Sequence, residues 1–112
     1  KVAILNNQYL GMVRQWQELF FDKRYSSVNL AGSPDFVKLA EAYGAVGLRA
    51  VEPSDVEGVI KEAIKVKKPV LMDFVVDREE DVFPMVPAGS AINQMIFAPE
   101  KKKVEAKLRA VR

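Results

Sequence analysis

The chain contains neither cysteine nor histidine. Without cysteine there is no disulfide, no thiolate nucleophile and no cysteine-held zinc. Without histidine there is no histidine triad, no imidazole ligand and no usual general base for pH 7. Proton chemistry would fall to Asp, Glu, Lys or Tyr, or to a bound cofactor. No apolar run approaches the roughly 18 residues of a membrane span, and no signal-peptide pattern is visible. Internal repeats and low-complexity tracts are also missing.

What is present suits one modest domain: 112 residues, 49% of them hydrophobic, enough for a real core. The net charge of +2 is unevenly spread. Six basic and two acidic residues fall in Glu100–Arg112, against eleven basic and thirteen acidic elsewhere. A basic tail can bind nucleic acid or a membrane surface, but interspersed glutamates read as a solvated terminal helix, so neither partner is expected. The first residue is Lys1 and the chain enters directly on a strand, which suggests a fragment, a processed product or an excised domain.

Val2–Leu5 is a continuous apolar run, as expected of a strand buried on both faces of a parallel sheet. After Asn6-Asn7, Met12, Trp16 and Phe20 recur at four-residue spacing, with Val13 and Leu19 nearby. Arg14, Gln15, Gln17 and Glu18 fill the other positions of that helix. Phe20 and Leu19 are expected in the core, while Met12 and Trp16 are free to line a pocket. Phe21–Gly32 has no period, and a loop of this length is often functional or packed against a partner. A helix follows, with Ser33 as its cap, Pro34 at its first position and Gly44 just past its end.

Ala45–Val51 reads as a second strand. Ser54 and Glu57 then form a capping box for a helix that ends in lysines and stops at Pro69. Val70–Val76 is the third and most apolar strand, with Asp73 as a structural carboxylate expected to have a local partner. Asp77–Asp81 is a solvated acidic turn, Val82–Gly89 a structured loop, and Ala91–Phe97 and Glu100–Arg112 short helices. Apolar strands alternating with helices predict an α/β fold with a parallel sheet. Three strands leave that sheet incomplete, with an edge that further strands or a partner would cover.

The functional signal is Asn6-Asn7. In open α/β sheets, ligands bind outside the carboxyl ends of strands. Two carboxamides there can offer neutral oxygens to a hard cation or hydrogen bonds to a phosphate. The N-terminus of the next helix favours an anion at the same place. An asparagine pair alone is a common turn. Its flanks make it narrower: LNNQYLGMVRQWQELFFDKRYS resembles the segment that completes the thiamine-diphosphate motif in acetolactate synthase large subunits. FPMVPAGSAINQMI (Phe83–Ile96) resembles the carboxyl end of the same subunit, and PDFVKLAEAYG (Pro34–Gly44) lies between them in family order.

That resemblance implies residues 1–97 as the C-terminal portion of a thiamine-diphosphate-binding domain, followed by a basic helical tail over 98–112. It implies a transferase that condenses pyruvate with pyruvate or 2-oxobutyrate, with loss of CO2, in branched-chain amino-acid biosynthesis. Thiamine diphosphate and Mg²⁺ are its implied cofactors, with FAD bound elsewhere. Asn7 would give its side-chain oxygen, and Tyr9 its backbone carbonyl, to the metal. Asn6 would hold the turn, and Gly11 and Met12 would lie against the cofactor. Met12, Val13 and Trp16 would line the substrate channel, with Pro87 and Ala88 in a loop covering it. Phe83, Met85 and Val86 would add apolar cover.

No catalytic residue is expected in this chain. The Gly-Asp-Gly half of the motif would lie upstream of Lys1 and the activating glutamate is absent, so the chain alone is expected to be inactive. Implied partners are a second copy of the full-length subunit and a regulatory small subunit. The implied compartment is the cytoplasm of a microbe, or the plastid for a plant. Alternatives are another thiamine-diphosphate decarboxylase or carboligase, against which Trp16 within GMVRQWQ argues, and a non-catalytic module that folds on a partner.

Overall fold

The three apolar runs form one parallel sheet. In the computed structural model, which describes residues 1–32 and 34–98, the elements run β1 (Val2–Asn6), α1 (Gly11–Phe20), α2 (Phe36–Ala42), β2 (Val46–Ala50), α3 (Val56–Lys65) and β3 (Val70–Val75). The sheet order is β1-β3-β2, so the last strand lies in the middle. Ile4 and Arg49 both sit opposite Asp73 in register. The chain divides into two compact units, Lys1–Glu80, which holds the sheet, and a second that begins at Asp81.

Because strand side chains alternate between faces, the register sorts the sheet residues into two sets. On one face Ala63 of α3 packs with Val70 and Met72, and around them Val46, Leu48, Val59, Val66 and Phe74 are partly buried. The other face carries Gly47, Arg49, Leu71, Asp73 and Val75 and receives α2. Gly47 is the contact point. A Cβ there would lie 2.7 Å from both the Cα and the carbonyl oxygen of Val37, so only glycine lets α2 come this close.

Helix α2 is closed as expected at its C-terminus. The Gly44 N–H donates to the Glu41 carbonyl at 2.9 Å and the Ala45 N–H to the Ala40 carbonyl at 3.0 Å. Gly44 sits at φ +72°, the left-handed turn that ends such a helix. Its N-terminus differs from expectation. Ser33 lies outside the described residues, and the cap is Asp35, whose carboxylate accepts from the Val37 and Lys38 N–H groups at 3.0 and 3.3 Å. Helix α3 also starts differently. The expected Ser54–Glu57 box is replaced by a 3₁₀ turn, Pro53–Asp55. There Asp55 reaches back to accept from the Val51 and Glu52 N–H groups. A carboxylate two residues into the turn reaches both donors, which the Ser54 hydroxyl does not.

Two expectations about burial fail. Strand β1 is not covered on both faces: Leu5 is 74% exposed. It shares its face with Phe74, but α3 packs mainly on β2 and β3. Helix α1 is turned against its apolar pattern. Arg14 and Gln15 are buried, while Met12, Val13, Trp16 and Phe20 are each about half exposed. Phe20 therefore lies outside the core and packs edge-on against Trp16, ring centroids 6.1 Å apart.

In the second unit the Met85 and Ile96 backbones exchange two hydrogen bonds, of 2.9 and 2.7 Å. The helix expected over Ala91–Phe97 is a single 3₁₀ turn, Ile92–Gln94. The pairing of Ile96 with Met85 draws the chain into an extended course at once. The expected helix at Glu100–Arg112 lies outside the described residues. Among the described residues no helix is long and apolar enough to cross a membrane.

Two glycines test this packing. Gly47→Ala is expected to destabilise the fold by roughly 2 kcal/mol or more, since the obstacle is backbone and cannot rotate away. Gly58, in α3, has open space around the Cβ position, so Gly58→Ala is expected to stabilise by about 0.5–1 kcal/mol. Urea midpoints at unchanged slope measure both.

Candidate cofactor site

Strand β1 ends in two consecutive side-chain turns. The Gln8 N–H donates to Asn6 Oδ1 at 3.1 Å, and the Tyr9 N–H donates to Asn7 Oδ1 at 3.0 Å. Asparagine carboxamides favour this because they mimic a backbone turn. The double turn forces Gln8 to φ +59°, a left-handed conformation that its surroundings must hold in place. Gly11 completes the turn. A Cβ on it would stand 3.1 Å from Asn7 Nδ2, so the glycine makes room for the Asn7 amide.

Tyr9 then pairs antiparallel with Asn29 of the loop. The bonds are made by their neighbours: the Leu10 N–H donates to the Val28 carbonyl at 2.9 Å and the Leu30 N–H to the Gln8 carbonyl at 2.8 Å. In such a pair the two facing residues do not bond to each other, and their own N–H and C=O groups point away from the partner strand. The Tyr9 carbonyl therefore points to the side where its N–H already meets Asn7 Oδ1. Two neutral oxygens share one side of the turn, beside the start of α1. Leu10 gives that helix no side-chain cap, and its first turn carries no acidic residue. This combination suits a hard cation carrying an anion. Among the described residues no cluster of three or more acidic side chains could hold a metal alone.

The loop after α1, unreadable from periodicity, is built on that helix. Gln17 uses both ends of its amide, donating to the Ser26 carbonyl and accepting from the Ser26 N–H, each at 3.1 Å. Tyr25 donates to Glu18 at 3.1 Å, and Lys23 pairs with Glu18 at 3.3 Å. Asp22, Lys23 and Ser27 all have positive φ, and Val28 is buried. The polar face of α1 is thus its packed face, because what it packs against is loop backbone and tyrosine rings. The signal that could have shown this was the pairing of Arg14, Gln17 and Glu18 with Tyr25 and Ser26 one loop later.

Of the remaining expected residues, Met12, Val13 and Trp16 line the free side of α1. Pro87 and Ala88 belong to the second unit, in a tight turn where the Ser90 N–H donates to the Pro87 carbonyl at 3.0 Å. Gly89, at φ +81°, supplies the left-handed residue such a turn needs. A recess of about 430 Å³ opens elsewhere, on the α2 face, at the carboxyl ends of the strands. Asn6, Gln8, Asp35, Arg49 and Asp73 line it, and Asn7 and Tyr9 do not.

In that recess Asp73, 1% exposed, accepts from Arg49 Nε at 2.9 Å, and Arg49 Nη2 donates to Asp35 at 2.8 Å. The bond from Arg49, aided by the Lys38 N–H, holds the Asp35 carboxyl below its ordinary range. The Glu52 and Val51 N–H groups do the same for Asp55. For Glu18, partial burial pushes upward, but the bonds from Lys23 and Tyr25 outweigh it and the carboxyl ends lower.

The fold and the turn define an α/β domain of the kind that holds an anionic cofactor at its strand ends. Residues 1–74 match the thiamine pyrophosphate enzyme family, C-terminal TPP binding domain, and the chain belongs to that family. It is 44% identical over 110 residues to the mitochondrial acetolactate synthase catalytic subunit of Saccharomyces cerevisiae, covering 97% of this chain and 16% of that protein. It is 42% identical over 103 residues to the acetolactate synthase large subunit of Haemophilus influenzae, 91% of this chain and 18% of that one. It is 50% identical over 100 residues to the acetolactate synthase of Mycobacterium leprae, 85% of this chain and 16% of that one. The chain spans about a sixth of the length of the curated relatives it matches.

The three lowered carboxyls set an acid limit. In each, the unfolded chain takes up a proton as pH falls through about 4 while the folded chain resists, so stability present above that range is lost below it. The urea midpoint is expected to hold steady from pH 7 to about pH 5 and then to fall. In Asp35→Asn the fall should be shallower.

Proposed function

We propose that this chain is the cofactor-anchoring part of an acetolactate synthase catalytic subunit. The observation that carries it is the double asparagine turn, with two oxygens on one side of an uncapped helix start, in a chain 42–50% identical to such subunits. Asn7 Oδ1 and the Tyr9 carbonyl would be protein ligands to a Mg²⁺ ion on the diphosphate. Gly11 lets Asn7 take up that position, and Met12 lies next along the helix. When bound, thiamine diphosphate supplies the electron sink through which one 2-oxo acid loses CO2 and is joined to another.

This chain contributes placement. The turn orients the metal-bound diphosphate, and the N–H groups opening α1 offset its charge. The half-exposed side chains of Met12, Val13 and Trp16 form an apolar wall that would exclude water from the substrate channel. The Pro87–Ala88 turn would be part of the channel's cover. FAD would bind to parts of the subunit outside this sequence. The free edge of β1, with Val2 and Leu5 exposed, supports further strands being added there. Assembly into a dimer and docking of a regulatory subunit belong to the same proposal, as does the 2-oxo acid substrate class.

The test is acetolactate formation from pyruvate with thiamine diphosphate, Mg²⁺ and FAD. The full-length subunit carrying this sequence should be active and residues 1–112 alone should not. Activity of the isolated chain would refute the assignment of its role. In the active subunit, Asn7→Ala is expected to raise the half-saturating Mg²⁺ concentration about tenfold, equivalent to about 1.4 kcal/mol. An unchanged Mg²⁺ requirement would remove Asn7 from the ligand set.

A further inference from the structure

Arg14 is 5% exposed on a helix whose Met12, Val13, Trp16 and Phe20 stand about half in solvent. Its guanidinium carbon lies 5.4 Å from the centre of the Tyr9 ring and 5.2 Å from that of Tyr25. A second guanidinium, from Arg78, stands 4.8 Å from the Tyr9 ring. All three distances fall within the range over which a cation is drawn to an aromatic face. Glu18 holds Arg14 at 3.0 Å from the following turn of α1, and Arg78 Nη2 donates to Asn29 at 3.4 Å. The Tyr9 ring is thus held by two cations, each fixed to a different part of the unit.

We propose that Arg14 is a positioning residue: through the Tyr9 ring it fixes the direction of the Tyr9 carbonyl, and so sets how tightly the turn binds Mg²⁺-diphosphate. The inference rests on the cofactor reading given above. Its logic begins at Gln8. A left-handed residue with a side chain reverts to negative φ unless its surroundings prevent it. Reversion would rotate the peptides that follow and swing the Tyr9 carbonyl off the side it shares with Asn7 Oδ1. The two backbone bonds to the loop resist this from one direction, and the clamped ring resists it from the other. A buried arginine is a costly way merely to fill space, because its charge must be stripped of water. An apolar side chain of similar length would pack as well and would not orient the ring.

The experiment uses the full-length subunit as apoenzyme, with Mg²⁺ titrated calorimetrically in the presence of thiamine diphosphate. Arg14→Met and Tyr9→Ala are each expected to weaken Mg²⁺ binding about tenfold. Tyr9→Phe, which keeps the ring, is expected to restore the affinity that Tyr9→Ala loses. Melting temperatures of the apo forms separate orientation from general damage. If Arg14→Met binds Mg²⁺ as the wild type does, or if Tyr9→Phe fares no better than Tyr9→Ala, the positioning role is overturned. It is also overturned if the loss of affinity merely follows a fall in apo stability across both variants. A wild-type subunit that takes up no thiamine diphosphate with Mg²⁺ would overturn the cofactor reading and this proposal together.

Discussion

The sheet and its covering helix are joined by one charged chain of contacts, Asp73–Arg49–Asp35. Asp73 lies in the central strand, Arg49 in an edge strand, and Asp35 at the start of α2, where the same carboxylate also caps the helix. A buried carboxylate is tolerable only with a partner, and Arg49 supplies it from the neighbouring strand. Asp73 Oδ1 has no hydrogen-bond partner among the described residues, so the network is not fully satisfied. The register that puts Arg49 opposite Asp73 also places Gly47 under Val37. A slip of one residue would send the arginine into the apolar face and a larger side chain against α2. Charge and close packing thus specify the same alignment.

How legible the chain is depends on what holds each element. The strands show as short, mainly apolar runs, interrupted by Arg49 in β2 and Asp73 in β3, because most of a parallel sheet is packed against helices. The end of α2 shows in Gly44, because a left-handed residue leaves a local mark. Helix α1 reads wrongly in its facing. Periodicity assumes that the buried side is the apolar side, whereas Arg14, Gln15 and Gln17 are engaged with loop backbone and rings that have no period of their own. The helix starts at Asp35 and Asp55 were missed by one or two residues, since serine and aspartate compete for caps and only geometry decides between them.

The candidate site was readable as residue types but not as a shape. Asn6-Asn7 followed by Gly11 is visible in the sequence, and each side chain makes a contact that its chemistry permits. What the sequence did not disclose is that the two asparagines turn to different places. Asn6 faces the recess with Asp73 and Arg49, while Asn7 turns towards Gly11 and α1. Nor did it disclose the Tyr9–Arg14–Tyr25–Arg78 cluster, whose members are up to 69 positions apart (Tyr9 to Arg78).

The strand order has a kinetic meaning. Among the described residues β1 and β2 are not neighbours, and each pairs with β3, the last of the three to be made. A ribosome must therefore deliver some 75 residues of this sequence before any of its ladder can close. Until then Val2–Asn6 waits without its β3 partner, and an apolar strand left unpaired is the kind of segment that chaperones shield and that pairs wrongly when crowded. The contacts that end this wait are among the most distant in the chain, which makes insertion of the central strand the slow step to expect in its folding.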